Sequence, residues 1–359
     1  MLDRLPPELL DHILELAVPP ASTLNEAKPR EETLRQCSLV SQAVRERAQA
    51  LLWRDVVVRI PAQAARLLQL VKEGDVGDLR RATKSVQWLF KAPPRYDQIE
   101  EVVQLSSGLQ HLELVFSSVP VAVEQFGAKT VASLTTLSLW NASLLPEPTT
   151  FLPFPRLSTL EFEGVYMCPA AMSKLLTPTA LPSLRALFLG QFDQDGDPVF
   201  PKLAPAFVSR LEDFQLTFSP GLAPPIPPST FEFAPPAALI VEISDLESLL
   251  EHIAADPDFT LPPHLFFDTF YGVRTTDNGP RFSILTSVVL AYPTPLQSIH
   301  LPISLLLSQA FHVYLEDLLS LCDKRSIDVV WRQEEQAFCM SFSQTFRRYA
   351  RRLKATGGR

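Results

Sequence analysis

The order of apolar and polar positions from Met1 to Val58 predicts a small group of helices. Apolar residues recur at helical spacing from Leu9 to Ala17, directly after prolines that can begin a helix because they have no N–H to leave unpaired. A second apolar run extends from Leu34 to Trp53, and Ser41 is placed to cap a helix within it. Short amphipathic helices are unstable alone in water, so the two runs are expected to pack together as a three-helix unit.

This unit has more apolar surface than about 50 residues can enclose, and an excess of that kind predicts a docking surface. A proline-rich breaker at 19–23 and a charged stretch to Glu32 separate its two halves. An alternative interpretation is that the helices only cap the N-terminus of the domain that follows.

The same residues resemble an F-box. The resemblance rests on LPPELLDHIL at 5–14, CSLVSQAVRERAQALLW at 37–53 and the closing Trp-Arg-Asp-Val, although the insertion between Ala17 and Leu34 is longer than in a compact F-box. It implies binding to the Skp-family adaptor of a cullin-RING ubiquitin ligase, and through the adaptor to the cullin. The residues that the resemblance assigns to adaptor binding are Leu5, Pro6, Leu9, Leu10, Ile13, Leu14, Leu39, Val40 and Trp53.

Downstream of Thr83 the chain repeats the pattern L-x-x-L-x-L at a nearly constant period. The copies are Leu109-Leu112-Leu114, Leu134-Leu137-Leu139, Leu157-Leu160-Phe162, Leu184-Leu187-Leu189 and Leu211-Phe214-Leu216. Weaker copies are Val86 with Trp88, Val241 with Ile243, Leu296-Ile299-Leu301, and Ile327 with Val329. The alternation at the end of each copy predicts a strand with two inward side chains.

These units resemble irregular leucine-rich repeats, which stack as a solenoid; an ordinary α/β sheet with chance leucine spacing is the alternative. The asparagine that would cap each turn is nearly absent, so an irregular, less curved coil is expected. The predicted fold class is therefore α/β, with a three-helix F-box-like module at 1–58, an irregular leucine-rich-repeat domain at 59–346 and a basic tail at 347–359.

Several elements of this domain are predicted beyond the clear copies. The segment 219–236 is rich in proline and predicts a surface loop, with a polyproline ligand for another domain as the alternative. The remaining predictions are a helix from Ser244 or Asp245 through Ile253, a core cluster of Phe266, Phe267, Phe270 and Tyr271, a helix over Leu305–Leu321, a strand over Ile327–Trp331 and a closing helix that begins with Phe338 and Phe342.

In a leucine-rich solenoid, the residues between the inward leucines line the concave face. The predicted target-binding surface consists of His111, Glu113, Ser138, Trp140, Glu161, Glu163, Phe188, Asp213 and Gln215. Carboxylates around an exposed Trp and Phe are typical of a protein-binding patch. The alternative is that neighbouring loops shield Trp140 and Phe188.

Charge is distributed unevenly along the chain. The net charge is −8, yet the segment 347–359 holds six of the 32 basic residues and no acidic one, which leaves 26 basic against 40 acidic, or −14, for the rest. A body this acidic is expected to repel nucleic acid. The tail is predicted to be a solvated helix end, with a nuclear-import signal or a contact to an acidic partner as alternatives.

The residue patterns of catalytic and metal sites are absent from the sequence. The four cysteines and six histidines show no ligand spacing, there is no nucleotide-binding or hydrolase motif, and Asp193–Asp197 predicts an acidic turn rather than a calcium loop. We expect no cofactor, no metal and no catalysis, and a cytoplasmic or nuclear protein without a membrane span or signal peptide. Two other functions remain open: a repeat scaffold without adaptor binding, and an enzyme of unrecognised type.

Overall fold

The architecture comes from a computed structural model, in which the chain divides into two compact units. The first unit contains the described residues up to 158 together with 180–183, and the second contains the described residues of 159–179 and 184–332. The structure describes residues 5–18, 24–72, 83–89, 108–121, 127–144, 153–163, 165–166, 174–189, 192–193, 203, 205–217, 237–242, 246–255, 261–268, 279–293, 295–307 and 309–332.

The first unit begins with three helices, α1 (Pro7–Ala17), α2 (Leu24–Cys37) and α3 (Gln42–Arg54), which confirms that part of the prediction. Proline occupies the first turn of α1, and the Ser41 hydroxyl caps α3 by accepting from the backbone N–H of Val44 at 3.4 Å. The interior of this module consists of Leu10, Leu14, Val18, Leu34, Val44, Ala48 and Leu51. Helix α2 begins at Leu24, earlier than the apolar run indicated, because the charged residues before that run are good helix formers.

A chain of ion pairs joins the module to the first strand, β1 (Asp55–Val58). The Asp55 carboxylate accepts from Arg30 of α2 at 3.1 Å and from the Nε of Arg54 at 3.3 Å, and Arg54 also contacts Glu15 of α1 at 3.3 Å. Arg30 is buried, so its charge depends on this partner more than a surface charge would. One carboxylate therefore holds α2 and α3 against the start of the strand.

We expect Arg30→Met to lower the free energy of unfolding by about 1–3 kcal/mol, because it removes one of the two guanidinium partners of a mostly buried carboxylate. Urea denaturation followed by circular dichroism measures the change. Arg35→Met is the matched control, since Arg35 is exposed and lies 3.7 Å from Glu31, and its effect should stay within about 0.5 kcal/mol. Equal effects of the two substitutions would contradict a structural role for the Arg30 pair.

The strands of the first unit are all parallel and pair in chain order. Strand β1 is followed by β2 (Ser85–Leu89), β3 (His111–Val121) and β4 (Thr136–Leu144), and the helices α4 (Pro61–Lys72) and α5 (Gly127–Ser133) lie in the connections. Val86, Leu112 and Leu137 are in register across the sheet, and so are Trp88, Leu114 and Leu139. All six are buried, which confirms the inward positions of these repeats.

The second unit has the same organisation on a larger scale. Its strands are β5 (Thr159–Glu163), β6 (Val165–Tyr166), β7 (Ala186–Leu189), β8 (Phe192–Asp193), β9 (Asp213–Thr217), β10 (Ala237–Glu242), β11 (His264–Asp268), β12 (Ser298–Pro302) and β13 (Asp328–Arg332). Seven of these form an open parallel sheet in the order β5-β7-β9-β10-β11-β12-β13, while the short β6 and β8 pair with each other. The helices are α6 (Pro205–Val208), α7 (Leu246–Ala255), α8 (Gly279–Ala291) and α9 (Gln309–Lys324), with a 3-10 turn at Ile303–Leu307.

Most of the predicted strands and helices of the second unit are confirmed. Leu160, Leu187 and Phe214, the middle residues of three repeats, are in register. The predicted helices correspond to α7 and α9, and the predicted last strand corresponds to β13. The α/β class with parallel strands is thus established, whereas the loop at 219–236, the closing helix and the basic tail lie outside the described residues.

Two predictions in this unit need correction. The inward pair of β10 is Leu239 and Val241, since Leu239 is in register with Leu216 and Leu265, so the prediction placed this repeat too late along the chain. Strand β11 and helix α8 were not predicted as elements. In β11 the register places Leu265 and Phe267 at the two inward positions, but Pro262 stands where the first leucine of the pattern would be. Its Phe266 and Phe267 are nevertheless buried core residues, as expected; Phe270 and Tyr271 lie outside the described residues.

Candidate docking surface on the N-terminal helices

The apolar residues of α1 form two groups that differ in exposure. Leu10 and Leu14 are buried in the interior of the module. Leu9, Ile13 and Leu16 are 50%, 44% and 76% exposed. Their spacing, first four and then three positions along the helix, places these three side chains in one stripe. Helix α1 therefore has one apolar face turned inward and a second one turned to solvent.

The turn between α2 and α3 adds two more exposed apolar residues. Leu39 and Val40 are 73% and 60% exposed. Their backbone N–H groups donate to the carbonyl oxygens of Gln36 and Cys37, each at 3.1 Å, and the Nε of Arg45 donates to the carbonyl oxygen of Ser38 at 3.0 Å. The backbone of the turn is thus held by its own hydrogen bonds, and the two side chains are available for contact.

The N-terminal end of the stripe lies toward the same end of the module as this turn. Asp11 contacts Arg47 at 3.3 Å and Glu15 contacts Arg54 at 3.3 Å, so α1 and α3 run in the same direction and the N-terminal end of α1 lies toward the start of α3. Leu39 and Val40 lie just before that start. We name Leu9, Ile13, Leu16, Leu39 and Val40 the docking surface, because a group of large exposed apolar side chains on a small folded unit is typical of a surface that another protein covers.

The residues predicted to bind an adaptor have different places in the structure. Leu9, Ile13, Leu39 and Val40 belong to the docking surface, and Pro6 is exposed at the start of α1. Leu5 and Trp53 are partly buried, and Leu10 and Leu14 are interior residues. Leu16 was not in the predicted set, although its position two helical turns after Leu9 could have indicated it.

The predicted target-binding residues of the first unit lie on the sheet face opposite the inward leucines. Gln87, Glu113 and Ser138 form one row across β2, β3 and β4, and all three are buried. His111 and Trp140, in the flanking rows, are partly buried, and the Nε2 atom of His111 lies 3.9 Å from the Glu113 carboxylate. The middle of this face is therefore closed to solvent.

The corresponding residues of the second unit are also buried. Glu161, Phe188 and Gln215 form one row across β5, β7 and β9, and Asp213 is buried in the adjacent row. The expectation of an open concave face is thus wrong for Glu113, Ser138, Glu161, Phe188, Asp213 and Gln215, because strand alternation fixes which face a side chain occupies but not whether that face is covered. The side chain of Glu163 lies outside what the structure describes.

Buried polar residues also occur on β11 and β12 of the second unit. The Ser298 hydroxyl lies 2.8 Å from Nδ1 of His264 and 3.0 Å from Nε2 of His300, and the His300 ring stacks on Phe266 with centroids 3.8 Å apart. Burial lowers the pKa of His264 to about 4, so this imidazole is neutral near pH 7. A serine between two imidazoles has the partners of a nucleophile and a base, but all three residues are buried, and no substrate can reach the hydroxyl in this structure.

Metal-ligand groups and membrane-spanning helices are both lacking in the described part of the chain. Among these residues, no three His, Cys, Asp or Glu side chains are grouped so that they could hold a metal ion. None of the described helices has the length and apolar composition needed to cross a bilayer.

Comparison of the chain with known protein families, curated proteins and solved structures found no match.

Proposed function

We propose that this protein is the substrate-recognition subunit of a cullin-RING ubiquitin ligase of the F-box type. In this proposal the docking surface binds the Skp-family adaptor, and the strand-containing units hold the target protein. The observation that carries the proposal is the group of five large apolar side chains exposed on a three-helix module, in a segment whose sequence resembles an F-box.

The composition of the module interior supports a binding role for the exposed group. Leu10, Leu14 and their neighbours from α2 and α3 already form a buried cluster, so the five exposed residues are not needed to complete it. Complete burial of a Val, Leu or Ile side chain stabilises by about 1.5–3 kcal/mol. Because these five side chains are largely exposed, a partner that covers them would still gain a large part of that free energy from each. Adaptor binding would bury them.

The strand order supports a repeat domain for target binding. In each unit the parallel strands pair in chain order, as expected when successive repeats stack. The length of chain between paired residues is irregular, since the step from Leu265 to Ile299 is longer than the step from Leu187 to Phe214. We propose an irregular leucine-rich-repeat solenoid, which agrees with the near absence of the capping asparagine.

In this proposal the chain positions a target and catalyses nothing itself. Ubiquitin transfer would be performed by an enzyme that the cullin recruits, in the cytoplasm or the nucleus, and no cofactor is required of this chain. A repeat scaffold that does not bind the adaptor is the alternative, and adaptor binding distinguishes the two.

The proposal is tested by titrating the full-length protein with a purified Skp-family adaptor in a calorimeter. We expect binding, and we expect Ile13→Asp to weaken it by about 100-fold or more, because a carboxylate at the centre of an apolar interface stays unpaired when water is excluded. The substitution should leave the thermal unfolding midpoint nearly unchanged, since Ile13 is exposed.

Val313→Asp is the matched control, because Val313 of α9 is also apolar and exposed but lies outside the module. It should bind the adaptor as the wild type does. Absence of binding by the wild-type protein, or unchanged binding by Ile13→Asp, would contradict the proposed function.

A further inference from the structure

Ser38 is located at the C-terminal end of α2, directly before Leu39 and Val40 of the docking surface. Ser38 is partly exposed, and its hydroxyl donates to the backbone carbonyl oxygen of Arg35 at 2.7 Å. Its own carbonyl oxygen accepts from the Nε of Arg45 at 3.0 Å. Ser38 is therefore hydrogen-bonded to two arginine residues, beside two exposed apolar side chains.

The sequence around Ser38 has the spacing that arginine-directed protein kinases select. These kinases bind, in an acidic pocket, an arginine three residues before the hydroxyl that they phosphorylate, since a guanidinium pairs well with carboxylates. The chain places an arginine at this distance before Thr33, Ser38, Thr83 and Thr159.

Burial and neighbouring charge determine which of these four hydroxyls such a kinase could phosphorylate. Thr83 and Thr159 are buried, so a kinase cannot reach them in the folded protein. Thr33 follows Glu31 and Glu32, which an acidic pocket would repel. Ser38 combines the required arginine, a partly exposed position and a neutral approach through Gln36 and Cys37.

We propose that Ser38 is a phosphorylation site and that a phosphate on it blocks docking at Leu39 and Val40. This inference rests on the proposed function and adds regulation to the same surface. In the reaction, Oγ of Ser38 attacks the γ-phosphorus of magnesium-bound ATP, and the Oγ–P bond forms while the bond to the β,γ-bridging oxygen breaks. The hydroxyl proton passes to the catalytic base of the kinase, and ADP leaves.

Electrostatics explains why the phosphate would act on docking. A phosphoserine carries about −1.5 to −2 charges at pH 7 and is strongly hydrated. A partner that covers Leu39 and Val40 must displace water from the neighbouring phosphate or place its own groups against it, and in an apolar contact neither is favourable.

The module should stay folded when the phosphate is present. Negative charge at the C-terminal end of α2 is unfavourable, but the guanidinium group of Arg45, whose Nε already donates to the Ser38 carbonyl oxygen at 3.0 Å, is close enough to pair with the phosphate. The backbone bond from the N–H of Ser38 to the carbonyl of Leu34, 3.0 Å long, does not involve the modified hydroxyl. The phosphate therefore changes the surface rather than the fold.

The test begins by incubating the full-length protein with an arginine-directed serine/threonine kinase and Mg-ATP, and mapping the phosphate by mass spectrometry. We expect phosphate on Ser38 in the wild type and in the Thr33→Ala control, and none on that position in Ser38→Ala. The phosphorylated protein should bind the Skp-family adaptor at least about tenfold more weakly than the untreated protein, and phosphatase treatment should restore binding.

A reciprocal measurement tests the same coupling between phosphorylation of Ser38 and adaptor binding. Since linkage is mutual, an adaptor concentration that saturates the wild type should slow phosphorylation of Ser38, and it should do so far less in the Ile13→Asp variant, which is expected to bind about 100-fold more weakly. Absence of phosphate on Ser38 would overturn the inference, and so would equal adaptor binding before and after modification. If the untreated protein fails to bind the adaptor, the proposed function itself fails, which the untreated sample identifies independently of the kinase reaction.

Discussion

Acidification from pH 7 to pH 4 is expected to lower the free energy of unfolding by about 3 kcal/mol through His264 alone. His264 is buried, and burial lowers its pKa from 6.5 to about 4 in the folded protein. The unfolded chain therefore binds a proton at a higher pH than the folded one. The contribution of His264 is fully present above its unfolded pKa of 6.5, falls as the pH decreases below that value, and is lost as the pH passes through about 4.

Urea denaturation between pH 7 and pH 4 measures this effect, with His264→Asn as the comparison. An asparagine amide can still bond to the Ser298 hydroxyl, which contacts Nδ1 of His264 at 2.8 Å, but it does not titrate. Carboxylates contribute equally to both proteins, so the difference between their pH profiles isolates the imidazole. Parallel profiles for the two proteins would show that His264 is not held neutral by burial.

The N-terminal module shows how far an apolar pattern predicts structure. The periodicity predicted the helices because position in an amphipathic helix depends on local spacing. It treated Leu9, Leu10, Ile13 and Leu14 as one stripe, whereas the structure turns Leu10 and Leu14 inward and leaves Leu9 and Ile13 exposed. Which of two adjacent apolar residues is buried depends on the direction from which α3 packs, and spacing along α1 does not contain that information.

The strands show a different limit of prediction from the sequence. Leucine repeats predicted the paired residues of β3, β4, β5, β7 and β9 because the same local unit recurs along the chain. They did not predict β11, in which Leu265 and Phe267 take the inward positions but Pro262 replaces the first leucine of the pattern. Nor did they predict that polar residues such as Glu113 and Gln215 would be buried, because the covering of the second face is a tertiary property.

Ser38 illustrates a third case, in which a sequence motif supports a functional hypothesis only when it is combined with the exposure seen in the structure. The arginine spacing before Ser38 is a weak signal in the sequence, where four hydroxyls share it. Burial removes two of them, and acidic neighbours disfavour the third. The sequence already places Ser38 next to Leu39 and Val40, and the structure adds that these two side chains are exposed, which makes the common spacing a specific hypothesis.

Phe188→Ala is expected to lower the free energy of unfolding by about 3–5 kcal/mol, because Phe188 is a buried residue between Glu161 and Gln215 rather than part of an exposed binding face. Removing its ring leaves a cavity next to polar groups, which the neighbouring strands can fill only in part. Urea denaturation gives the change, and Val313→Ala, at an exposed position on α9, should alter stability by less than about 0.5 kcal/mol. A Phe188→Ala protein of unchanged stability that binds its target more weakly would restore the interpretation of this residue as a surface contact. Substantial destabilisation would confirm that Phe188 is a core residue of this unit.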